Sequence, residues 1–183
     1  MAEFESKIVF MEGPQGAGKT TATRYVSTLG YEPVRGIPTG EKLVKNSTSQ
    51  NWCQSLGILE DLVNHKKPYV SDRSFWSLVV FKMRKKPEMA DSFYEAGSRM
   101  FRRRINGTDH KVIIITAEPE TCVARADQKS IVAITDTLES KREIEAYHNL
   151  LKRLKEDGFK AFSIYNNGIS EDNFQEEIRR LLN

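Results

Sequence analysis

The chain has 183 residues, of which 39% are hydrophobic and 29% are charged. This size and composition are typical of one globular domain with an ordinary core, so we expect a single domain over residues 1–183. The formal net charge of +3 permits anionic substrates, but nucleic-acid binding would need that charge to be clustered on one face. The first residues lack the apolar region of a signal peptide, and no apolar run is long enough to span a bilayer. We therefore expect a cytoplasmic protein with no membrane partner.

Cysteine and histidine usage gives no sign of a metal site. Cys53 and Cys122 are far apart and lack metal-ligand spacing, so two reduced thiols are expected rather than a disulfide or a zinc site. The histidines are equally scattered, and no chemistry is assigned to His65, His110 and His148.

Short apolar runs alternate with amphipathic stretches along the chain, which is the pattern of an α/β protein. We predict a central parallel five-stranded sheet flanked by helices. The predicted strands are 7–12, 31–34, 69–71, 112–116 and 161–165. The predicted helices are 20–29, 49–65, 74–85, 87–105, 119–126, 136–157 and 171–182. Ligands of such sheets bind beyond the carboxyl ends of the strands.

The first predicted strand runs into the sequence Gly-Pro-Gln-Gly-Ala-Gly-Lys-Thr at 13–20, which fits the pattern G-x-x-x-x-G-K-[S/T]. A preceding strand and a following helix are the context that a phosphate-binding loop requires. The glycines let backbone N–H groups converge on an anion, Lys19 can reach the β- and γ-phosphates, and Thr20 can ligate Mg²⁺. ATP and Mg²⁺ are the expected cofactors. The expected ATP-binding residues are Gly13, Pro14, Gln15, Gly16, Ala17, Gly18, Lys19, Thr20 and Thr21.

The second predicted strand is followed by prolines and glycines that prevent a helix from starting at once. Glu32 and Arg35 are therefore expected on a loop at the ligand-binding edge of the sheet. There Glu32 could accept the proton of an attacking hydroxyl, and Arg35 is assigned to the substrate. The alternative is that Glu32 is an ordinary solvated glutamate.

The third predicted strand leads into Asp72-Arg73-Ser74. A carboxylate directly after a buried strand could hold Mg²⁺ directly or through water, so Asp72 joins Thr20 as a candidate metal ligand. Arg73 could neutralise phosphate charge or position an acceptor. The alternative is that Asp72 serves only as the N-cap of the next helix.

The acceptor pocket is expected between the helices predicted at 49–65 and 87–105. Trp52 could present an aromatic wall, Gln54 an amide that pairs with a base edge, and Trp76 a border of the site. Trp52 could equally be a core residue, and Gln54 a surface residue.

The helix predicted at 87–105 carries an arginine cluster at 99–104. Arg99 and Arg103 share one face at i, i+4 spacing, and this face could hold an acceptor phosphate or a DNA backbone. A solvated basic face is the alternative. The helix at 136–157 is expected to pack its apolar positions against the sheet, and no catalytic role is assigned to it.

Four elements occur in one order along the chain: the phosphate loop, Glu32-Pro33-Val34, Asp72-Arg73-Ser74-x-x-Ser77 and Glu118-Pro119-Glu120-x-Cys122-x-x-Arg125. Together they resemble the deoxyribonucleoside kinase and thymidylate kinase group of P-loop kinases. The resemblance extends from about residue 7 to the carboxyl terminus. The phosphate loop alone is shared with many NTPases, whereas the combination is more specific.

The resemblance implies roles for three of these residues. In deoxyribonucleoside kinases the glutamate of a Glu-Pro-Val element deprotonates the acceptor hydroxyl, and Glu32 matches it. The acidic-Arg-Ser element supplies a carboxylate near Mg²⁺ and an arginine near the reacting oxygens, which Asp72 and Arg73 match.

The resemblance also implies a short lid near 125–131 that closes over the ATP phosphates. Arg125 matches its first arginine, and Lys129 is a candidate second cation. The turn at 166–168 corresponds to a segment that lies near the adenine in related kinases.

Two departures separate the chain from both families. Thymidylate kinases usually carry an arginine at the position of Tyr31, where it binds the phosphate of the acceptor. Deoxyribonucleoside kinases usually carry another arginine at the position of Val79. The acceptor therefore does not follow from either family.

The sequence predicts Mg²⁺- and ATP-dependent transfer of the γ-phosphate to a hydroxyl of a deoxynucleoside or nucleotide-like acceptor. Three alternatives stay open. They are a kinase that phosphorylates a modified base such as 5-hydroxymethyluracil in DNA, a thymidylate-kinase-like nucleotide monophosphate kinase, and a P-loop NTP-driven switch without an acceptor. The expected partner is a nucleoside, a nucleotide or a DNA-borne acceptor, and a homodimer is also open.

Overall fold

The computed structural model describes residues 8–34, 48–64, 67–105, 108–126 and 136–183. The strands are β1 Ile8–Glu12, β2 Glu32–Val34, β3 Tyr69–Asp72, β4 His110–Thr116 and β5 Ala161–Tyr165. The helices are α1 Lys19–Thr28, α2 Thr48–Asn64, α3 Phe75–Lys85, α4 Ala90–Ile105, α5 Pro119–Arg125, α6 Thr137–Glu156 and α7 Glu171–Leu182. A 3₁₀ turn, Pro87–Met89, joins α3 to α4.

The five strands form one sheet in the order β2-β3-β1-β4-β5, and every neighbouring pair is parallel. In the register of the sheet, Met11 of β1 lies opposite Asp72 of β3. The carboxyl ends of the strands therefore meet at one edge, and this edge carries the phosphate loop after β1 and Asp72 at the end of β3.

Both faces of the sheet are covered, which is why β1 and β4 read as nearly continuous apolar runs. Alternate residues of β1 point to opposite faces. Ile8 and Phe10 pack with residues of α3, α4 and α6, whereas Val9 and Met11 pack with residues of α1 and α7. This two-layer cover holds the carboxyl edge of the sheet in place.

The predicted fold class, a parallel five-stranded α/β sheet with flanking helices, is confirmed. Five of the seven helices in the described residues begin one to three residues away from the predicted start. The segment predicted as a helix from 87 begins with the 3₁₀ turn, and α6 begins after Asp136, whose carboxylate accepts from the N–H of Leu138 at 2.8 Å. Among the described helices, none is long and apolar enough to cross a membrane.

Candidate active site

The phosphate loop lies between β1 and α1, and its glycines have the left-handed backbone that a side chain would strain. Gly13 has a φ of +136° and Gly16 a φ of +80°. A Cβ atom at Gly13 would lie 2.0 Å from the carbonyl oxygen of Ile115, and one at Gly16 would lie 1.9 Å from that of Cys122. The loop is thus packed against the end of β4 and the middle of α5 with no room for larger residues.

Lys19 is the first residue of α1 and is only 6% exposed. Its Nζ donates to the carbonyl oxygen of Pro14 at 2.6 Å, so the ammonium group folds back over the loop. Burial, and then the charge of Arg73, lower the pKa of Lys19 to about 7, against the opposing effect of nearby carboxylates. A cation held in this way lies next to the position that a bound phosphate would take.

Thr20 and Asp72, the two predicted metal ligands, meet at the carboxyl edge. The Thr20 hydroxyl donates to Asp72 Oδ2 at 2.8 Å. Asp72 is not the cap of the next helix, because Ser74 is its N-cap and accepts from the N–H of Trp76 at 3.2 Å.

The pair fits a magnesium ion. A hydroxyl and a carboxylate oxygen are hard ligands, and Mg²⁺ usually takes one or two such protein groups together with phosphate oxygens and water. No group of three or more His, Cys, Asp or Glu residues able to hold a metal occurs in the described part of the chain. A metal held here by Thr20 and Asp72 would therefore complete its coordination with nucleotide and solvent.

Arg73 follows Asp72 in a strained conformation. Its φ of +68° is, among the described residues, the one positive value outside glycine. Its guanidinium lies 3.4 Å from the Ser77 hydroxyl and 3.3 Å from the Tyr147 hydroxyl. Burial lowers the pKa of Arg73, but Tyr147 and the surrounding carboxylates outweigh it and leave the pKa raised. A permanent positive charge is therefore fixed close enough to Lys19 to interact with it electrostatically.

Glu12 was missed by the sequence reasoning. It is the last residue of β1 and is fully buried. One carboxylate oxygen accepts from the N–H of Ser74 at 2.8 Å and from its hydroxyl, and the other accepts from the Ser77 hydroxyl at 2.5 Å. Burial raises the pKa of Glu12, although these hydrogen bonds and Arg73 oppose the shift. Glu12 thus fastens the start of α3 to the strand that carries the loop. The signal in the sequence is a glutamate that ends an apolar run.

Glu143 was missed as well. Helix α6 was expected to pack against the sheet without another role, but it also reaches the phosphate loop. Glu143 Oε2 accepts from the backbone N–H of Gln15 at 3.1 Å. Tyr147, one turn further along α6, contacts Ser77 and Arg73. Helix α6 therefore forms one wall of the site.

The turn after β5 lies against the other side of the loop. The Asn166 amide donates to the carbonyl oxygen of Ala17 at 2.8 Å, and Arg125 donates to the backbone oxygen of Asn166 at 3.1 Å. Thr121 of α5 donates to the Asn167 side chain at 2.7 Å. Arg125 is therefore close to the turn. The rest of the expected lid, 127–131 with Lys129, lies outside the described residues.

Glu32 lies at the other end of the sheet from the phosphate loop. It begins β2 and pairs with Tyr69, three residues before Asp72, which corresponds to about 10 Å along the strand. Its carboxylate forms an ion pair with Lys67 at 3.6 Å. This position fits the surface alternative and does not fit a base at the ligand-binding edge.

The position of β2 also bears on Tyr31, which was compared with the acceptor-binding arginine of thymidylate kinases. The Tyr31 side chain is 2% exposed and precedes β2, so it does not occupy the place of that arginine. Residues that follow β2, among them Arg35, belong to 35–47 and lie outside the described residues.

Trp76 does not border the site. It is fully buried, stacks on Tyr94 at 6.0 Å and packs against Phe101 at 4.9 Å between ring centroids. Its position on α3 faces the sheet and α4, and this makes it a core residue. Gln54 is exposed on α2, and the side chain of Trp52 lies outside the described residues.

The arginine cluster of α4 is not brought to the phosphate loop. Arg99 and Arg103 are exposed, and Arg99 lines a groove between α4 and α6 next to Asp157. Asp157 precedes β5, so this groove lies toward the amino-terminal edge of the sheet. Arg102 pairs with Asp157 and Arg104 with Glu60, which leaves less unpaired charge than the sequence suggested.

Comparison with known proteins supports the same fold class. No family model matches the chain, and no curated protein matches it. Among solved structures, a deoxyadenosine kinase from M. mycoides with bound dCTP is 16% identical, with 94% of this chain and 97% of that chain covered and a TM-score of 0.65. The YorR protein from Bacillus subtilis, in complex with phosphorylated GDP, is 18% identical, with 95% and 94% covered and a TM-score of 0.64. Thymidylate kinase from Candida albicans is 10% identical, with 98% and 92% covered and a TM-score of 0.68.

These likenesses show the fold. The chain has the α/β fold of the P-loop nucleoside and nucleotide kinases, the group that the sequence motifs resemble.

Proposed function

We propose that this protein is an ATP- and Mg²⁺-dependent kinase that transfers the γ-phosphate to a hydroxyl of a nucleoside or nucleotide-like acceptor. The observation that carries the proposal is the contact of 2.8 Å between Thr20 and Asp72, beside a phosphate loop that holds Lys19. The contact supports binding of Mg²⁺ with ATP, and the kinase fold of the similar structures supports transfer to an acceptor.

The described side chains support a role in binding the phosphates. Loop N–H groups and Lys19 would hold the β- and γ-phosphates. Arg73 adds a permanent positive charge to that of Lys19. In phosphoryl transfer the negative charge spreads over the oxygens of the moving group, so catalysis rests on positioning and on such cations. Bound Mg²⁺ would neutralise charge on the β- and γ-oxygens.

The acceptor class is supported by the solved structures. The similar structures include a deoxyadenosine kinase, with dCTP bound in one structure and dATP in another, and a thymidylate kinase. The similar YorR protein holds phosphorylated GDP. A single domain over 1–183, a lid near 125–131, a cytoplasmic location and a homodimer remain predictions.

The three alternative functions differ in the support they have. A thymidylate-kinase-like enzyme stays as the second candidate because one similar structure is a thymidylate kinase. A kinase that acts on bases in DNA has no support from the comparisons, and the pairing of Arg102 and Arg104 reduces the charge available to a DNA backbone. A switch without an acceptor would hydrolyse ATP at a rate that no acceptor changes.

An acceptor panel tests the proposal. Purified protein with Mg²⁺ and ATP is incubated with deoxynucleosides, nucleoside monophosphates and DNA oligonucleotides, and ADP release and the phosphorylated product are measured. We expect rapid ADP release with at least one nucleoside and none with Lys19→Ala, whose folding is checked by circular dichroism. ADP release that no acceptor stimulates, or that Lys19→Ala retains, would contradict the proposal.

A further inference from the structure

A hydroxyl acceptor carries a proton that must leave when its oxygen bonds to phosphorus. A carboxylate within hydrogen-bond reach of that oxygen is the usual recipient. Glu32, the residue first predicted for this role, lies at the opposite edge of the sheet. The proposed reaction therefore needs another base.

Two carboxylates at the carboxyl edge have other tasks. Asp72 accepts from Thr20 on the side where the metal would bind. Glu12 is fully buried, and both of its oxygens accept hydrogen bonds from Ser74 and Ser77. Glu12 is thus closed to an incoming hydroxyl, and Asp72 is committed to the metal.

Glu143 differs from both. It is half-buried, so a ligand can reach it, and one of its oxygens lies 3.1 Å from the N–H of Gln15 in the phosphate loop. It also interacts electrostatically with Lys19 and Arg73, the two cations placed to hold the transferring phosphate. Asp72 is equally half-buried and interacts with the same two cations, but it is assigned to the metal; among the described carboxylates near the loop, Glu143 is therefore the accessible one without another assigned role.

We infer that Glu143 binds the acceptor hydroxyl and takes its proton during transfer, an inference that rests on the proposed kinase function. The hydroxyl oxygen forms a bond to the γ-phosphorus, and the bond from that phosphorus to the bridging oxygen breaks. ADP leaves with the electron pair, and the hydroxyl proton passes to the carboxylate of Glu143. The products are the phosphorylated acceptor and ADP, and Glu143 then releases the proton to solvent.

The same residue narrows the acceptor class. A monophosphate acceptor attacks with an oxygen that is already ionised at neutral pH, and it gains nothing from a base. A carboxylate beside the loop would also repel its charge. Glu143 therefore favours a neutral hydroxyl acceptor over a nucleoside monophosphate.

Glu143→Gln is the informative variant, because the amide keeps the size of the side chain and an oxygen that can accept from Gln15. We expect single-turnover transfer to the best nucleoside to fall about 10²- to 10⁴-fold, which is the usual cost of losing a general base. ATP binding measured by calorimetry should be equal or tighter, because a negative charge near the phosphates has been removed.

Two further variants serve as controls. Glu145→Gln removes an exposed carboxylate two residues along α6 and should leave the rate unchanged. Glu143→Asp keeps the carboxylate and should recover part of the rate.

The outcomes separate the inference from the proposed function. Wild-type transfer to nucleosides with an equal rate in Glu143→Gln would overturn the inference alone. So would ATP binding weakened by tenfold or more in the variant, since this would mark Glu143 as a support of the loop. Faster transfer to monophosphates than to nucleosides would also contradict the inference. A wild type that transfers to no acceptor would remove the proposed function and the inference together.

Discussion

Nucleotide affinity is expected to fall as the pH rises above about 7, and Lys19 is the reason. In the nucleotide-free protein, burial and the charge of Arg73 lower the pKa of Lys19 to about 7. A bound nucleotide brings negative charge to the loop, and this favours the ammonium form and raises the pKa again. Below that pH the ammonium is present in both states, so affinity does not change. Above it, nucleotide binding must take up a proton and becomes weaker.

The magnitude follows from the pKa of about 7. At pH 8 roughly one tenth of the empty protein carries the charged lysine, whereas at pH 6 nearly all of it does. The affinity should therefore drop about tenfold between pH 6 and pH 8, which corresponds to about 1.4 kcal/mol.

Titration calorimetry with ADP and Mg²⁺, in buffers with different ionisation enthalpies, measures both the affinity and the proton uptake. Lys19→Arg is the matched control because a guanidinium stays protonated over this range. Any pH dependence of the ADP affinity that remains in Lys19→Arg arises from titration of the nucleotide. Lys19→Met, which has no titrating group at this position, is a second control. Wild-type and control affinities that change in parallel with pH would refute the reasoning.

Three further predictions concern carboxylates. Asp72→Asn should raise the Mg²⁺ concentration needed for half-maximal transfer by about tenfold, because a charged ligand is lost; an unchanged Mg²⁺ titration would contradict the metal assignment. Glu12→Ala should lower the free energy of unfolding by about 2–4 kcal/mol, measured with urea, because it leaves buried donors of Ser74 and Ser77 without an acceptor; a loss below about 0.5 kcal/mol would show that they find other partners. Glu32→Gln should leave the single-turnover rate within about twofold of wild type, as is usual for a surface ion pair, and a large decrease would restore Glu32 as a candidate base.

The sequence predicted the parts of the site that depend on local pattern. The phosphate loop has a fixed spacing of glycines, and Asp72 follows a buried strand, so the parallel sheet brings it to the loop without further information. Thr20 and Asp72 are 52 residues apart in sequence, yet they form a hydrogen bond.

Glu32 shows where local pattern fails. Strand β2 is an edge strand of three residues, and its register with β3 places Glu32 at the start of the strand. A Glu-Pro-Val sequence can begin a strand or follow one. The sequence therefore does not reveal whether Glu32 lies at the start or beyond the end of β2. Glu143 was missed for another reason. Its partner is a backbone N–H that lies 128 residues away, and a backbone group leaves no signature in the sequence.

The three glycines of the phosphate loop have a consequence for how the site can adapt. Gly13 faces β4, Gly16 faces α5, and a Cβ atom at Gly18 would lie 2.4 Å from the Asn166 amide. The loop is thus packed between β4, α5 and the turn after β5. The conformation of the half of the site that would bind ATP is therefore formed without a ligand. The opposite wall, formed by α6, touches the loop through the hydrogen bond between Glu143 and the backbone N–H of Gln15. We expect adjustment to different acceptors to come from side chains of that wall rather than from the phosphate loop.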